Sequence, residues 1–409
     1  MKVWIITSGE PIPSQEERPH RAGILSAMLA DKGNNVVWWT TTFDHQSKEY
    51  LYDINAEVKL DNNYSRFFLH SNTSYKKNIS LNRIKNHQQV AINFEIESRK
   101  KETPDVIFCS FPTIDLSFSA TKYAKEFNVP IVIDVRDLWP DIFFNPFPRA
   151  LYPFIKIGLN NYIKQTKFIF KNCTSITGVS KKYLEFGLQY GNRKKTNQDK
   201  VFPLGYDSEG KNNIILKDNE FDTLGIDSRK INIWFVGTFG KTYDLSTVIK
   251  AARLIEKETK NINFIFTGDG ENMSKWKEES KELGNVVFTG WVGKRELHYI
   301  SLNSSIGLMA YSKGAPQGLP NKIYEYMASG LPILSSLQSE TKELLENEKI
   351  GITYEPNNFE NLYSKINLLT KDSNLLNEMK TKSKKVFKEK YDSSIVYEGL
   401  VKYLNQLSK

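Results

Sequence analysis

Short apolar runs alternate with helix-spaced segments along this chain, and the alternation restarts midway. In the first half, Lys2–Ser8, Asn35–Phe43, Asp105–Ser110, Pro130–Val135, Ser175–Ser180 and Lys200–Gly205 are strand-like. His20–Gly33 and Ile114–Phe127 have helical spacing between them. In the second half, Ile231–Gly237, Ile262–Gly268, Val286–Trp291 and Ser305–Ser312 are the strands, and Asp244–Lys257 is a helix. Strands that are apolar throughout and separated by helices predict parallel sheets covered on both faces, an α/β doubly wound class. Ligands of such sheets lie beyond the carboxyl ends of the strands.

A chain of 409 residues, 40% of them hydrophobic, is too long for one core and predicts two domains. The polar stretch 206–230 lacks periodicity and reads as the linker, leaving domains at 1–205 and 231–393. Three helix-like segments close the chain, at about 359–371, 374–390 and 394–407. The two cysteines, Cys109 and Cys173, lie far apart, which favours a reducing compartment and argues against zinc. The first apolar run is too short for a signal peptide. No run approaches the ~18 apolar residues that span a bilayer.

The net charge of +9 is unevenly spread. Residues 151–200 hold ten Lys or Arg against Glu185 and Asp199, with eight aromatic residues interleaved. Residues 76–101 are basic too. Cations mixed with large apolar side chains suit an anionic lipid surface; an ordinary solvated face stays open as the alternative. Nucleic acid is not expected, since no basic-region heptad, zinc spacing or aromatic RNA-binding motif is present.

The richest stretch is Lys313–Pro332, KGAPQGLPNKIYEYMASGLP. It follows the strand Ser305–Ser312 and passes through a polar loop into a short helix from Lys322, stopped by Gly330 and Pro332. First-turn amides without helical partners make an anion site there, and Lys322 adds a charge. Glu325 sits one turn further in. A cation beside a carboxylate suits a ligand with a phosphate and vicinal hydroxyls.

This stretch resembles the donor-site signature of glycosyltransferase family 4, two-domain enzymes of the GT-B fold. Glu325 matches the second of the signature's two glutamates, and Met327–Pro332 match its run of small residues and closing Gly-x-Pro. Gln317 stands where the first glutamate is found. The resemblance implies two Rossmann-like domains, an acceptor domain first and a nucleotide-sugar domain second, with the last helix (about 394–409) returning to the first. It places Gly237, Thr238, Gly240 and Lys241 at the donor diphosphate. Gly268, Trp291, Val292, Leu319, Asn321, Lys322 and Glu325 would line the rest of the donor site. The loop Gly9–Pro19 is a substrate loop in the family, and Gly9 is its glycine here; His20 and Arg21 open the next helix, where a functional and a surface role are both open. Arg136-Asp137-Leu138-Trp139-Pro140 is similar to a branch from bacterial capsule and O-antigen assembly, and implies substrate contact by Arg136 and Asp137. A structural pair between those two is the alternative.

Two near-motifs carry less. Gly237–Thr242 resembles a Walker A loop, but Phe235 stands where its first glycine is required. Asp269-Gly270-Glu271 begins a helix, where the dipole alone favours acids; no metal and no cofactor are expected. The reading is a retaining transferase, with Arg136, Asp137, Lys241, Gln317, Lys322 and Glu325 as its catalytic set. It would move a sugar from a nucleotide-sugar, with UDP the expected carrier, to a polyprenyl-diphosphate-linked saccharide at the inner face of a bacterial plasma membrane. A UDP-sugar 2-epimerase of the same fold and a non-catalytic membrane or polyanion binder are the alternatives.

Overall fold

The computed structural model describes residues 1–12, 20–78, 80–144, 147–207 and 221–408. Most of the loop Gly9–Pro19 and of the linker 206–230 therefore lies outside the described residues. The chain divides into two compact units, Met1–Leu204 with Val396–Lys409, and Gly205–Ile395.

The first unit is an eight-stranded sheet in the order β3-β4-β2-β1-β5-β6-β7-β8. Its strands are β1 (Lys2–Ile6), β2 (Asn35–Thr41), β3 (Ala56–Asp61), β4 (Tyr64–Leu69), β5 (Val106–Phe111), β6 (Ile131–Val135), β7 (Ser175–Gly178) and β8 (Lys200–Val201). All neighbours are parallel except β3, which returns antiparallel on β4 at the edge. This hairpin escapes a reading based on apolar runs, because β3 alternates apolar with charged residues and is largely exposed. Strand β1 shows why the central strands are apolar throughout. Trp4 and Ile6 point into one core with Trp39, Phe94 and Ile107, and Val3 and Ile5 into another with Leu25, Trp38 and Phe108. Tyr397, Leu400, Val401 and Leu404 of the closing helix Ser393–Leu407 complete the second core.

Arg21 is neither a surface nor a ligand residue. Its guanidinium donates to Asp134 through Nε (2.8 Å) and Nη2 (3.0 Å), and both side chains are fully buried. Thr177 Oγ1 also donates to Asp134, at 2.7 Å. The pair ties the first helix (Arg21–Asp31) to β6 and β7 inside the core; His20, beside it, is exposed.

The second unit is an all-parallel sheet of six strands, order β11-β10-β9-β12-β13-β14. They are β9 (Ile231–Val236), β10 (Ile262–Thr267), β11 (Val286–Gly290), β12 (Ile306–Met309), β13 (Ile333–Ser335) and β14 (Gly351–Thr353). The strand order reverses between β9 and β12, so that is where the doubly wound topology opens a crevice at the strand ends. In the first unit the same reversal falls between β1 and β5. Among the described residues, no helix is long and apolar enough to cross a membrane.

Candidate functional site

In the second unit, glycine builds the end of β9. Gly237 has φ +156° and Gly268 φ +133°, values that side-chain-bearing residues rarely adopt. A Cβ on Gly268 would fall 2.0 Å from the Gly237 carbonyl oxygen, so the loops after β9 and β10 touch through bare backbone. Amides close the contact: Gly237 N donates to Thr267 O (3.0 Å), Phe239 N to Asp269 O (2.8 Å) and Gly268 N to Gly290 O (2.9 Å). The acidic Asp269-Gly270-Glu271 segment is thus a strut for the β9 loop.

Across the reversal, the helix Lys322–Ala328 is held on the sheet by Tyr326. Its hydroxyl accepts from Val236 N (3.2 Å) and lies 3.1 Å and 3.0 Å from the Trp234 and Leu308 carbonyls. Gly307 makes room for that ring, since a Cβ there would come within 2.5 Å of it. Gly330, at φ +68°, ends the helix, with Leu331 N donating to Tyr326 O. This anchoring aims Lys322 inward. Its ammonium lies 4.1 Å from the Tyr243 ring centroid, 4.3 Å from Phe235 and 5.3 Å from Tyr311. A Cβ on Gly237 would lie 2.9 Å from Nζ, so the glycine keeps the ammonium's place at the strand end open.

Lys322 Nζ is fully buried and has no hydrogen-bond partner among the described residues. Burial pushes its pKa down to about 7, and the charge of Glu325 only partly opposes this. Three ring faces stabilise a cation, but they do not accept its hydrogen bonds as an anion would. The Gln317 Oε1 oxygen is likewise buried and unpartnered. Glu325 lies 3.4 Å from the Tyr206 hydroxyl, which donates to it.

The first-turn amides do not form the cradle expected of them. Asn321 already has helical angles, and Ile323 N and Tyr324 N donate to Pro320 O (3.0 Å) and Asn321 O (3.1 Å). A tight turn therefore closes the helix start on itself, and the anion-binding capacity rests on side chains.

Lys241 is exposed in a depression of about 380 Å³ shared with Tyr243, Asn272, Lys275, Ser312 and Lys313. Tyr243 borders this depression and also covers Lys322, so one ring links the two lysines. Thr238 and Gly240 belong to the same β9 loop, where Gly240 N donates to Thr238 O at 2.8 Å. Leu319 and Asn321 lie in the loop entering the helix. Trp291 and Val292 come directly after β11, and Trp291 is 83% exposed. Sequence reading missed the cage of Phe235, Tyr243 and Tyr311; Tyr243 in the β9 loop and Tyr311 just after β12, near a lysine-bearing helix, were the available signal. Among the described residues no group of three or more His, Cys, Asp or Glu side chains is placed to hold a metal ion.

Gly9, Arg136 and Asp137 belong to the first unit, again at strand carboxyl ends. Arg136 does not pair with Asp137: its Nη1 donates to Glu10 Oε2 at 2.5 Å. Asp137 instead accepts from Leu138 N (2.8 Å) and Trp139 Nε1 (3.2 Å). Burial raises its pKa above the ordinary carboxylate value. Glu10 also accepts from Ala22 N at 2.5 Å, so it fixes Arg136 against the start of the first helix. Sequence reading overlooked Glu10 because its partners are remote along the chain.

Residues 217–386 match the family model described as glycosyl transferases group 1. No curated protein matches the chain. Among solved structures, sucrose-phosphate synthase from Thermosynechococcus elongatus is similar with TM-score 0.70 at 13% identity, covering 99% of this chain and 98% of that one. HepE from Anabaena, solved in complex with UDP, gives TM-score 0.67 at 13% identity, with 99% of both chains covered. WaaG, a glycosyltransferase involved in lipopolysaccharide biosynthesis, gives 0.62 at 12% identity and 99% of both chains. The fold is that of the GT-B glycosyltransferases. The second unit carries the group 1 domain, and glycosyl transfer is the enzyme activity that goes with it.

Proposed function

We propose that the chain is a retaining glycosyltransferase using a UDP-linked sugar, with Lys322 and Lys241 receiving the donor's diphosphate. The single observation that carries this is the Lys322 ammonium: fully buried, without an acceptor, and held open by Gly237 at the strand reversal. A buried cation without a hydrogen-bonded counter-charge is costly unless a ligand supplies one. A nucleotide diphosphate supplies it and accepts the missing hydrogen bonds. The HepE neighbour, solved with UDP, supports this choice of donor.

In the reaction, the bond from the anomeric carbon to the β-phosphate oxygen breaks, leaving its electron pair on that oxygen. The acceptor hydroxyl oxygen bonds the same carbon on the same face, and its proton passes to the departing phosphate. Charge grows on the leaving oxygens as the sugar gains oxocarbenium character. Lys322 and Lys241 stabilise that charge more in the transition state than before it. Glu325 holds the ribose hydroxyls, Gln317 borders the transferred sugar, and Trp291 and Val292 take the base. Arg136 and Asp137 contact substrate in the first unit.

The acceptor in this reading is a polyprenyl-diphosphate-linked saccharide of bacterial surface polysaccharide assembly, met at the inner membrane face. Its support is a patch on the first unit. Phe154 and Ile157 of the short helix Tyr152–Gly158 are 71% and 74% exposed. Another face of the helix, with Tyr152 and Lys156, borders a depression of about 860 Å³ that Asp141, Phe144, Ile163 and Lys167 also line. Apolar side chains fringed by lysines fit an anionic interface.

The test is incubation with radiolabelled UDP-sugars and bacterial membrane extract. Label entering the lipid fraction is expected. Interconverted free nucleotide-sugar without lipid label would replace the transferase by an epimerase.

A further inference from the structure

The first unit holds a second cationic site, which the donor reading does not use. Four loops and a helix start meet at the carboxyl ends of β1, β2, β4 and β6. Gly9, after β1, packs against His45, after β2; a Cβ on Gly9 would lie 3.5 Å from the His45 Cβ. Tyr75, after β4, bonds His45, with Tyr75 Oη 2.8 Å from His45 Nδ1. Arg83 and His87 come from the first two turns of the helix Leu81–Ser98. Trp139 comes after β6.

Arg83 is the centre of this group. Its guanidinium carbon lies 4.9 Å from the Trp139 ring and 5.7 Å from the Tyr75 ring. Arg83 Nε points at the His87 Nε2 (3.4 Å), and Nη1 donates to the Asn78 carbonyl (2.7 Å). Lys48 reaches the same place, with Nζ 5.1 Å from the Tyr75 ring and donating to His45 O and Asn78 Oδ1. Among the described residues, neither Arg83 nor Lys48 forms an ion pair with a carboxylate. The two nearby acids are otherwise engaged: Asp44 accepts from Gln46 N and Ser47 N, and Asp137 from Leu138 N and Trp139 Nε1.

Asp44 and Asp137 act on Lys48 and Arg83 through space, without bonding them. Burial first, then the charges of Arg83 and Lys48, hold the His45 imidazole below its ordinary value. Burial and Arg83 do the same to His87, down to about 3, so it is a neutral prop for Arg83. A guanidinium and an ammonium that no carboxylate among the described residues hydrogen-bonds, the guanidinium fixed in place against two aromatic faces, are what a phosphorylated ligand with a sugar or apolar body requires.

We propose that Arg83 and Lys48 bind a phosphate of the acceptor, whose adjoining ring lies along Trp139 with its hydroxyls toward Asp137. This deepens the proposed function and rests on it, since it takes the first unit as the acceptor side. The Trp139–Asp137 hydrogen bond joins the phosphate site to the Arg136–Asp137 corner. A phosphate bound at Arg83 therefore sits close to that corner, which makes the acceptor short. Either a sugar phosphate or a lipid diphosphate bearing few sugars has this chemistry.

The experiment is calorimetric titration of the full chain, saturated with UDP, by glucose 6-phosphate, by geranyl diphosphate and by unmodified glucose. One phosphorylated probe is expected to bind measurably better than glucose; which one separates the free from the lipid-linked source. Arg83→Gln should weaken that binding at least about tenfold, Lys48→Gln should weaken it less, and Arg83→Lys should recover part. These variants should keep the parent's UDP affinity and unfolding midpoint. Equal binding of all three probes, or unchanged phosphate binding by Arg83→Gln, would overturn the proposal. Should the parent chain fail to bind UDP, the underlying donor reading falls instead, so the two failures are told apart.

Discussion

Replacing Lys322 by methionine keeps most of the side chain's stem and removes the charge, and the lysine's surroundings set the size of the effect. Lys322 titrates near 10.5 in the unfolded chain and near 7 in the folded one. Because the folded value is the lower, the native chain binds fewer protons between those limits, and stability rises with pH across that window. The burial cost is full below pH 7 and gone above pH 10.5. A shift from 10.5 to about 7 corresponds to about 5 kcal/mol for the fully charged side chain, and about 4 kcal/mol at pH 7 where it is half protonated. Lost contacts with three rings offset roughly 1–2 kcal/mol of the gain. Lys322→Met should therefore stabilise the donor-free chain by about 2–3 kcal/mol at pH 7, and the advantage should shrink toward pH 10. Binding should move the opposite way. Loss of charge-assisted bonds predicts UDP-sugar affinity lower by about 10- to 100-fold. Calorimetry in two buffers of different ionisation enthalpy reads a further consequence. The parent chain should take up about half a proton per donor bound at pH 7, more at pH 8.5, and the variant none. Urea unfolding and these titrations decide the matter together. If Lys322→Met is less stable than the parent at pH 7, or if donor binding takes up no proton, Lys322 is not the uncompensated cation that the donor reading requires.

Three further outcomes can be checked by simpler means. Gly268→Ala drives a methyl to 2.0 Å from the Gly237 carbonyl at a backbone angle alanine avoids, and should cost about 3 kcal/mol in urea unfolding, with donor binding lost as the β9 loop shifts. Asp134→Asn leaves the fully buried Arg21 without its carboxylate and should destabilise the chain by about 3–5 kcal/mol, read as an earlier unfolding midpoint. Phe154→Glu with Ile157→Glu should abolish co-sedimentation with vesicles containing anionic lipid while leaving the unfolding midpoint unchanged; retained sedimentation would exclude this patch as the membrane contact.

The amino-acid order by itself settled the local matters. Runs such as Ile231–Val236 and Ile262–Thr267 are mainly apolar because helices cover both faces of a central strand, so their class and place were legible. The turn at Gly330 and the strand-end glycines were legible too, because backbone demands act over neighbouring residues. Elements that lack an apolar run were not: β13 and β14 have three residues each, and β3 alternates apolar with charged residues. The sites depended on sheet order. Lys322 could be named from its neighbours, but its burial among Phe235, Tyr243 and Tyr311 exists only because β9 and β12 lie side by side. The same holds for Glu10 on Arg136 and for Arg83 over Trp139, which distant loops bring together at strand ends. A charge's partner and its dielectric surroundings are properties of everything packed around it. Periodicity tells which face of an element is apolar, whereas the register between elements tells which side chains meet.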